Sequence, residues 1–166
     1  MPTNTPSFNL SALLPHLHTG QRFTAPMPHG SADALFLAQL AQHQTSISQH
    51  TLVVLCANAQ DTARLLAEIG YFDSTLRVLQ LPDWETLPYD AFSPHHDLVS
   101  ERLQTLYALT QRQCDVLLVP VSTALYRLSP PSFLLARTFS FAQNDTLDAA
   151  VLREQLVNAG YAAVSQ

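Results

Sequence analysis

Two short apolar runs constrain this chain more than any other feature. Thr51-Leu52-Val53-Val54-Leu55-Cys56-Ala57 and Asp115-Val116-Leu117-Leu118-Val119-Pro120-Val121 carry no polar residue between their ends. A sheet with one wet face would alternate apolar and polar positions, whereas an unbroken run is the pattern of a strand covered on both faces. Helix-period segments lie around them. Asn58 or Asp61 can cap a helix whose stripe is Ala63, Leu66, Ala67 and Ile69, with Gly70 as its stop. Leu76 to Leu81 reads as the next strand. A helix from about Asp97 to Leu109 follows, with Leu98, Arg102, Leu103, Leu106 and Tyr107 at helical spacing, and Ser122 to Arg127 forms a short one.

Upstream, Arg22 to Pro26 reads as a short first strand and Met27 to Ser31 as a turn. Ser31-Ala32-Asp33-Ala34 then opens a helix with Leu35, Leu37, Ala38, Leu40 and Ala41 on its apolar side. Strands alternating with helices of this length make βαβ units, hence a mostly parallel sheet with helices on both faces. The pattern changes at Ser129-Pro130-Pro131-Ser132. Arg137 to Phe141 alternates like a half-exposed strand, Asp145 to Gly160 reads as a capped amphipathic helix, and Tyr161 to Val164 starts another strand. The expected organisation is an arm or helix over 1–20, with Ser11 to Leu17 amphipathic, an α/β domain over 21–130, and the incomplete start of a small α+β domain over 131–166.

Composition narrows the function. All eight basic residues are Arg, and the 166-residue chain has no Lys. A phosphate-cradling P-loop needs a Lys to reach the terminal phosphates. The net charge of −5 and the scattered arginines oppose autonomous nucleic-acid binding, which needs a concentrated basic surface. No segment approaches the ~20 apolar residues that span a bilayer. The N-terminus has no basic residue before Arg22, against a secretory signal. Cys56 and Cys114, in or beside the apolar runs, read as small buried hydrophobes, and a reducing cytoplasm fits them.

Pro28 to Asp33 lies where a nucleotide-binding domain would put its phosphate loop, and Gly30 and Ser31 occupy that degenerate position. A plain turn with Ser31 or Asp33 capping the helix is the favoured reading. No acidic pair follows Val116 to Val119, so a Mg²⁺-holding carboxylate is missing too. No catalytic residue, cofactor or metal is assigned to this segment. The alternative is a stand-alone nucleotide-binding α/β domain with weak or no hydrolase activity.

The stretch from Pro82 to Pro94 is the other candidate. It holds the only Trp, three prolines and the carboxylates Asp83, Glu85 and Asp90, with Asp97 just beyond. It leaves the C-terminal end of a strand, the edge where open α/β sheets hold ligands. The acids have no fixed period, and His95 and His96 lack the repeated spacing of a zinc site. Prolines stiffen the loop, Trp84, Tyr89 and Phe92 are expected to pack it onto the domain, and a carboxylate to pair with Arg102. A protein interface is the second role. His16, His18, His29, His43 and His50 recur without ligand spacing, and no Ser-His-Asp or Cys-His arrangement can be drawn.

Asp83-Trp84-Glu85-Thr86-Leu87-Pro88-Tyr89-Asp90, Phe92-Ser93-Pro94-His95, Arg102-Leu103 with Thr105-Leu106-Tyr107, Val119-Pro120-Val121 and Gly160-Tyr161 together resemble the N-terminal module of bacterial transcription-repair coupling factors. The resemblance covers most of the chain after about Thr51. It implies a domain like domain 1a of UvrB, P-loop or helicase-like in fold but with a degenerate nucleotide site, and interrupted by an inserted second domain. It implies a family-motif loop of Asp83, Trp84, Glu85, Leu87, Pro88, Tyr89, Asp90, Pro94 and Arg102. It further implies a non-catalytic scaffold that recruits UvrA, with the main contact residues beyond Gln166. RNA polymerase and DNA would be contacted by later domains, and ATP and Mg²⁺ would serve a downstream motor. The chain then reads as a fragment of an ATP-dependent DNA translocase.

Overall fold

The structure is a computed structural model that describes residues 14, 20, 22–25, 28–48, 50–86, 89–139, 141 and 143–162. Apart from Leu14 and Gly20, the arm expected over 1–20 lies outside the described residues, as do Pro26, Met27, Leu87, Pro88, Ala163 and Val164. The chain divides into two compact units, Met1–Tyr126 and Arg127–Gln166.

The first unit runs α1 (Ala32–Ile47), β1 (Leu52–Cys56), α2 (Ala59–Phe72), β2 (Val78–Gln80), α3 (His96–Thr110), β3 (Val116–Pro120) and α4 (Val121–Ala124). Its three strands form a parallel sheet in the order β1-β3-β2. The fold class is therefore α/β, as the two apolar runs require. In the central strand every residue is buried. Val116 and Leu118 face a cluster built from Ala34, Ala38 and Ala41 of α1 and Leu65 and Ile69 of α2. Leu117 and Val119 face the opposite way, onto Leu81 and Cys114 with Leu106 and Leu109 of α3. This two-sided burial explains the unbroken apolar run.

The same pattern in β1 misleads. Leu52, Val54 and Cys56 join the α1–α2 cluster, but Val53 and Leu55 are 56% and 64% exposed. β1 is an edge strand, and α3 covers the far face of the sheet over β2 and β3 only. Residues 22–25 form no strand either. Pro26 offers no N–H to a ladder, which weakens any strand ending there.

Helix registers also differ from the expected stripes. In α1 the buried residues are the small Ala34, Ala38 and Ala41, while Leu35 is exposed. Alanine at that spacing lets α1 approach closely, where larger side chains would hold it off. In α2 the buried face is Thr62, Leu65 and Ile69, one step round from the stripe expected. Asn58 caps it, its side chain accepting from Asp61 N at 2.9 Å. Gly70 does not end the helix. The end comes at Asp73, whose carboxylate accepts from Thr75 N and Oγ1 at 2.9 and 2.7 Å and so turns the chain. In α3 Arg102 and Thr105 are buried, with Leu103 outside.

The strand starts are tied together at Asp115. Its carbonyl accepts Leu52 N at 2.8 Å, its N–H donates to Arg77 O at 2.9 Å, and its carboxylate takes Arg77 Nε and Nη2 at 3.0 and 2.7 Å. The Arg77 guanidinium holds the Asp115 carboxyl below the usual carboxylate range. Next to it Cys114 is buried and donates to Val116 O, and burial pushes its thiol up to about 11.

The second unit contains α5 (Pro131–Leu135) and α6 (Ala149–Asn158). Pro131 opens α5 rather than only breaking the chain, since proline suits the first helical turn. Residues 137–139 are not a strand. Arg137 N returns to Leu134 O at 3.1 Å, and its guanidinium lies 3.8 Å from the centre of the Phe133 ring. This local wrapping competes with extension. The last helix begins at Ala149, later than Asp145, because Asp148 caps it through Ala150 N and Val151 N. Tyr161 and Ala162 are not in a strand; the rest of that expected strand is outside the described residues. Among the described residues no helix is long and apolar enough to cross a membrane.

Leu118→Ala is expected to cost roughly 2–5 kcal/mol in urea unfolding, and Leu55→Thr no more than about 0.5 kcal/mol. The lowered folded pKa of Asp115 gives stability that is full above the unfolded value near 3.8 and is lost as pH falls through the folded value. The raised pKa of Cys114 acts at the other end: stability is full below 9.0 and declines as pH climbs towards about 11. Melting curves across pH check both, and Asp115→Asn should shrink the acid limb while leaving the share that the lowered Asp33 and Asp73 contribute.

Candidate functional site

The segment between β2 and α3 leaves the carboxyl end of the sheet and is fastened at its root. Leu81 N continues the ladder to Leu118 O at 2.9 Å. Thr105 Oγ1 donates to Gln80 O at 2.9 Å, and Gln80 Nε2 donates to Glu101 at 2.8 Å. Arg102, one helical turn along from Leu98, points inward and is only 2% exposed. Its guanidinium lies 4.2 Å from the centre of the Trp84 ring and donates to the Pro82 carbonyl. Burial pulls its pKa down, while Asp83 and Tyr126 oppose that shift.

The partner of Arg102 is thus an indole face and a carbonyl, whereas the sequence suggested a carboxylate; among the described residues none lies within ion-pair distance of it. A flat, weakly hydrated guanidinium suits such a place better than an ammonium. Asp83 instead accepts from Trp84 N and from Ser122 Oγ of α4, both at 2.8 Å, joining the loop to the segment after β3. Glu85 then takes a left-handed conformation, φ 58°.

Beyond Glu85 the loop opens outward. Tyr89 is 99% and Phe92 82% exposed, so of the three aromatics expected to pack only Trp84 does so. Trp84, Thr86, Asp90, Phe92, Ser93, Pro94 and Tyr126 line a groove of about 440 Å³. Leu87 and Pro88 of the family-motif loop lie outside the described residues. His95 caps α3, its Nδ1 accepting from Asp97 N at 3.3 Å. Among the described residues no group of three or more His, Cys, Asp and Glu could hold a metal ion.

Gly30 and Ser31 stand apart from this loop, at the start of α1. Gly30 has φ 60°, the left-handed region that favours glycine, and Ser31 makes no side-chain cap. Asp33 does that work: its carboxylate accepts Ala34 N and pairs with Arg64 at 2.7 Å, while Arg64 also holds Glu68 at 2.7 Å. The Arg64 hydrogen bond holds the Asp33 carboxyl low. Sequence reasoning missed this cluster, although Arg64 and Glu68 at i,i+4 were a readable signal. It also missed Tyr126 as a groove wall and Ser122 as the clasp for Asp83, which only the crossing of β3 could reveal.

These features define an open parallel α/β domain with a partly apolar loop at the carboxyl edge of its sheet, the edge where open α/β sheets commonly hold ligands. The chain is 41% identical over 137 residues to the transcription-repair-coupling factor of Escherichia coli (strain K12), covering 82% of this chain and 12% of that protein. It is 37% identical over 138 residues to that of Haemophilus influenzae, and 32% identical over 152 residues to that of Myxococcus xanthus, covering 11% and 12% of those proteins. No family model matches. The chain belongs to the transcription-repair-coupling factor family and spans about an eighth of the length of these relatives.

Arg102→Leu should uncouple the loop, costing about 1–3 kcal/mol from the lost stack and the unsatisfied Pro82 carbonyl. Trp84 emission should shift to the red with far-UV circular dichroism unchanged, and Arg102→Lys should recover only part of the loss.

Proposed function

We propose that this chain is the UvrB-like, non-catalytic part of a transcription-repair coupling factor. It acts in the cytoplasm as a protein-interaction scaffold within a DNA translocase that links stalled RNA polymerase to nucleotide excision repair, and it takes part in recruiting UvrA. The observation that carries the family is the 41% identity over 82% of the chain, with a relative whose name joins transcription to repair. RNA polymerase, DNA, ATP and Mg²⁺ are assigned to other parts of the whole protein.

The local support for a non-catalytic role is chemical. A triphosphate at the Gly30 turn would meet the Asp33 carboxylate, which accepts a helix N-terminal N–H and already holds Arg64. The Arg64 guanidinium there is shared by two carboxylates, Asp33 and Glu68, and the chain has no Lys to reach a phosphate. The residues present do not fit the nucleotide.

Titrating ATP–Mg²⁺ against the purified chain should give no saturable binding and no turnover; either one would favour the stand-alone nucleotide-binding reading. A pull-down with purified UvrA, comparing this chain with a longer one that continues along the relatives' sequence, should retain UvrA on the longer chain. If neither retains it, the recruiting role fails.

A further inference from the structure

α6 is the least accounted-for element of the second unit. Six of its ten residues are apolar, yet none is buried, and Val157 is 60% exposed. The chain beyond it is held against its last turn. Gly160 turns at φ 96°, Tyr161 N donates to Leu156 O at 3.0 Å, and the Tyr161 ring packs edge-on against Phe139 at 6.4 Å. Leu152, Leu156, Val157 and Tyr161 thereby wall a groove of about 240 Å³, with Arg153 among its lining residues. That is below the roughly 300–1,000 Å³ of small-molecule clefts, so side chains of a protein segment fit it better than a cofactor.

Charge decides which segment fits. Arg153 is the only charged residue of the lining, and it is exposed. Its guanidinium has no hydrogen bond, ion pair or ring partner among the described residues. Its own helix offers none, since the positions three and four residues away are Ala149, Ala150, Leu156 and Val157. Asp148 is engaged in capping Ala150 and Val151, and Glu154 lines no part of the groove. A wholly apolar occupant would strip water from the guanidinium without replacing its hydrogen bonds. A basic occupant would be repelled. Nucleic acid needs a concentrated basic surface, and one arginine is not that.

A guanidinium set among apolar walls recognises a carboxylate, onto which it forks with two parallel hydrogen bonds. We propose that this groove docks an acidic residue of a partner protein, carried in a segment whose flanking aliphatic side chains cover Leu156, Val157 and Tyr161. The site goes beyond the recruitment of UvrA and is tested without it, so the two readings fail separately.

The intact chain is titrated against the fluorescein-labelled peptide Gly-Leu-Ala-Glu-Leu-Leu-Ala-Gly-amide, and against versions with glutamine or lysine in place of the glutamate, with anisotropy as the readout. The glutamate peptide should give a saturable rise that weakens with salt, and the other two should bind at least about tenfold more weakly. Arg153→Gln should weaken the glutamate peptide about tenfold and Val157→Ser about threefold, with circular dichroism unchanged. Arg127→Gln, outside the groove, should leave binding as it was.

Glutamine binding as well as glutamate, no saturable rise with any peptide, or an equal loss in Arg127→Gln would overturn the proposal. So would self-association in sedimentation that Val157→Ser abolishes, because a second copy would then fill the groove. A chain extended along the relatives' sequence that no longer binds the peptide would overturn it too, since the face would then belong to that chain's own fold.

Discussion

The carboxylate of Asp115 sits where all three strands of the first unit begin. Its backbone receives β1 on one side and gives to Arg77 on the other, and its side chain grips the Arg77 guanidinium with two oxygens. Register in a parallel sheet is fixed by few things, since no tight turn links neighbouring strands. Here one residue fixes both pairings. Because β3 then carries core side chains to both faces, a slip of one position would exchange Val116 and Leu118 with Leu117 and Val119. The two helical layers, and the loop at the far end of β2, inherit their placement from that start.

From this base the loop is built outward with decreasing constraint. Gln80 and Leu81 are bonded into sheet and helix, Trp84 is stacked on a buried guanidinium, and Tyr89 is almost wholly in water. A rigid root and a free rim suit a surface that must hold its shape before it meets anything, and preorganisation lowers the entropic cost of contact.

The sequence made the parallel α/β class readable, because Val116 to Pro120 has no polar break and helix-period stretches flank it. It also made Asn58, one of two caps it offered, readable because capping is local chemistry, and the helix from about Asp97 readable by its apolar spacing. It misjudged β1, where Val53 and Leu55 look the same in composition as buried residues. Whether a helix covers a face depends on where α3 docks, and no local pattern records that. Gly70 and residues 137–139 failed for a related reason: the Asp73 turn and the Arg137–Phe133 stack compete with propensity and win. In the loop, the sequence picked out Trp84 and Arg102 but gave Arg102 the wrong partner, because an Arg near acids suggests an ion pair, whereas burial favours a ring and a carbonyl.

The Gln80 carbonyl carries a further consequence. β2 is a three-residue strand at the margin of the sheet, with β3 on one side only. Bare main-chain acceptors on such a margin invite a foreign strand and seed fibrils. α3 places the Thr105 hydroxyl on that acceptor, and its Glu101 separately accepts from the Gln80 side-chain amide. The Thr105 side chain therefore acts as a gatekeeper, occupying the main-chain acceptor from which a misfolded neighbour would grow at this margin.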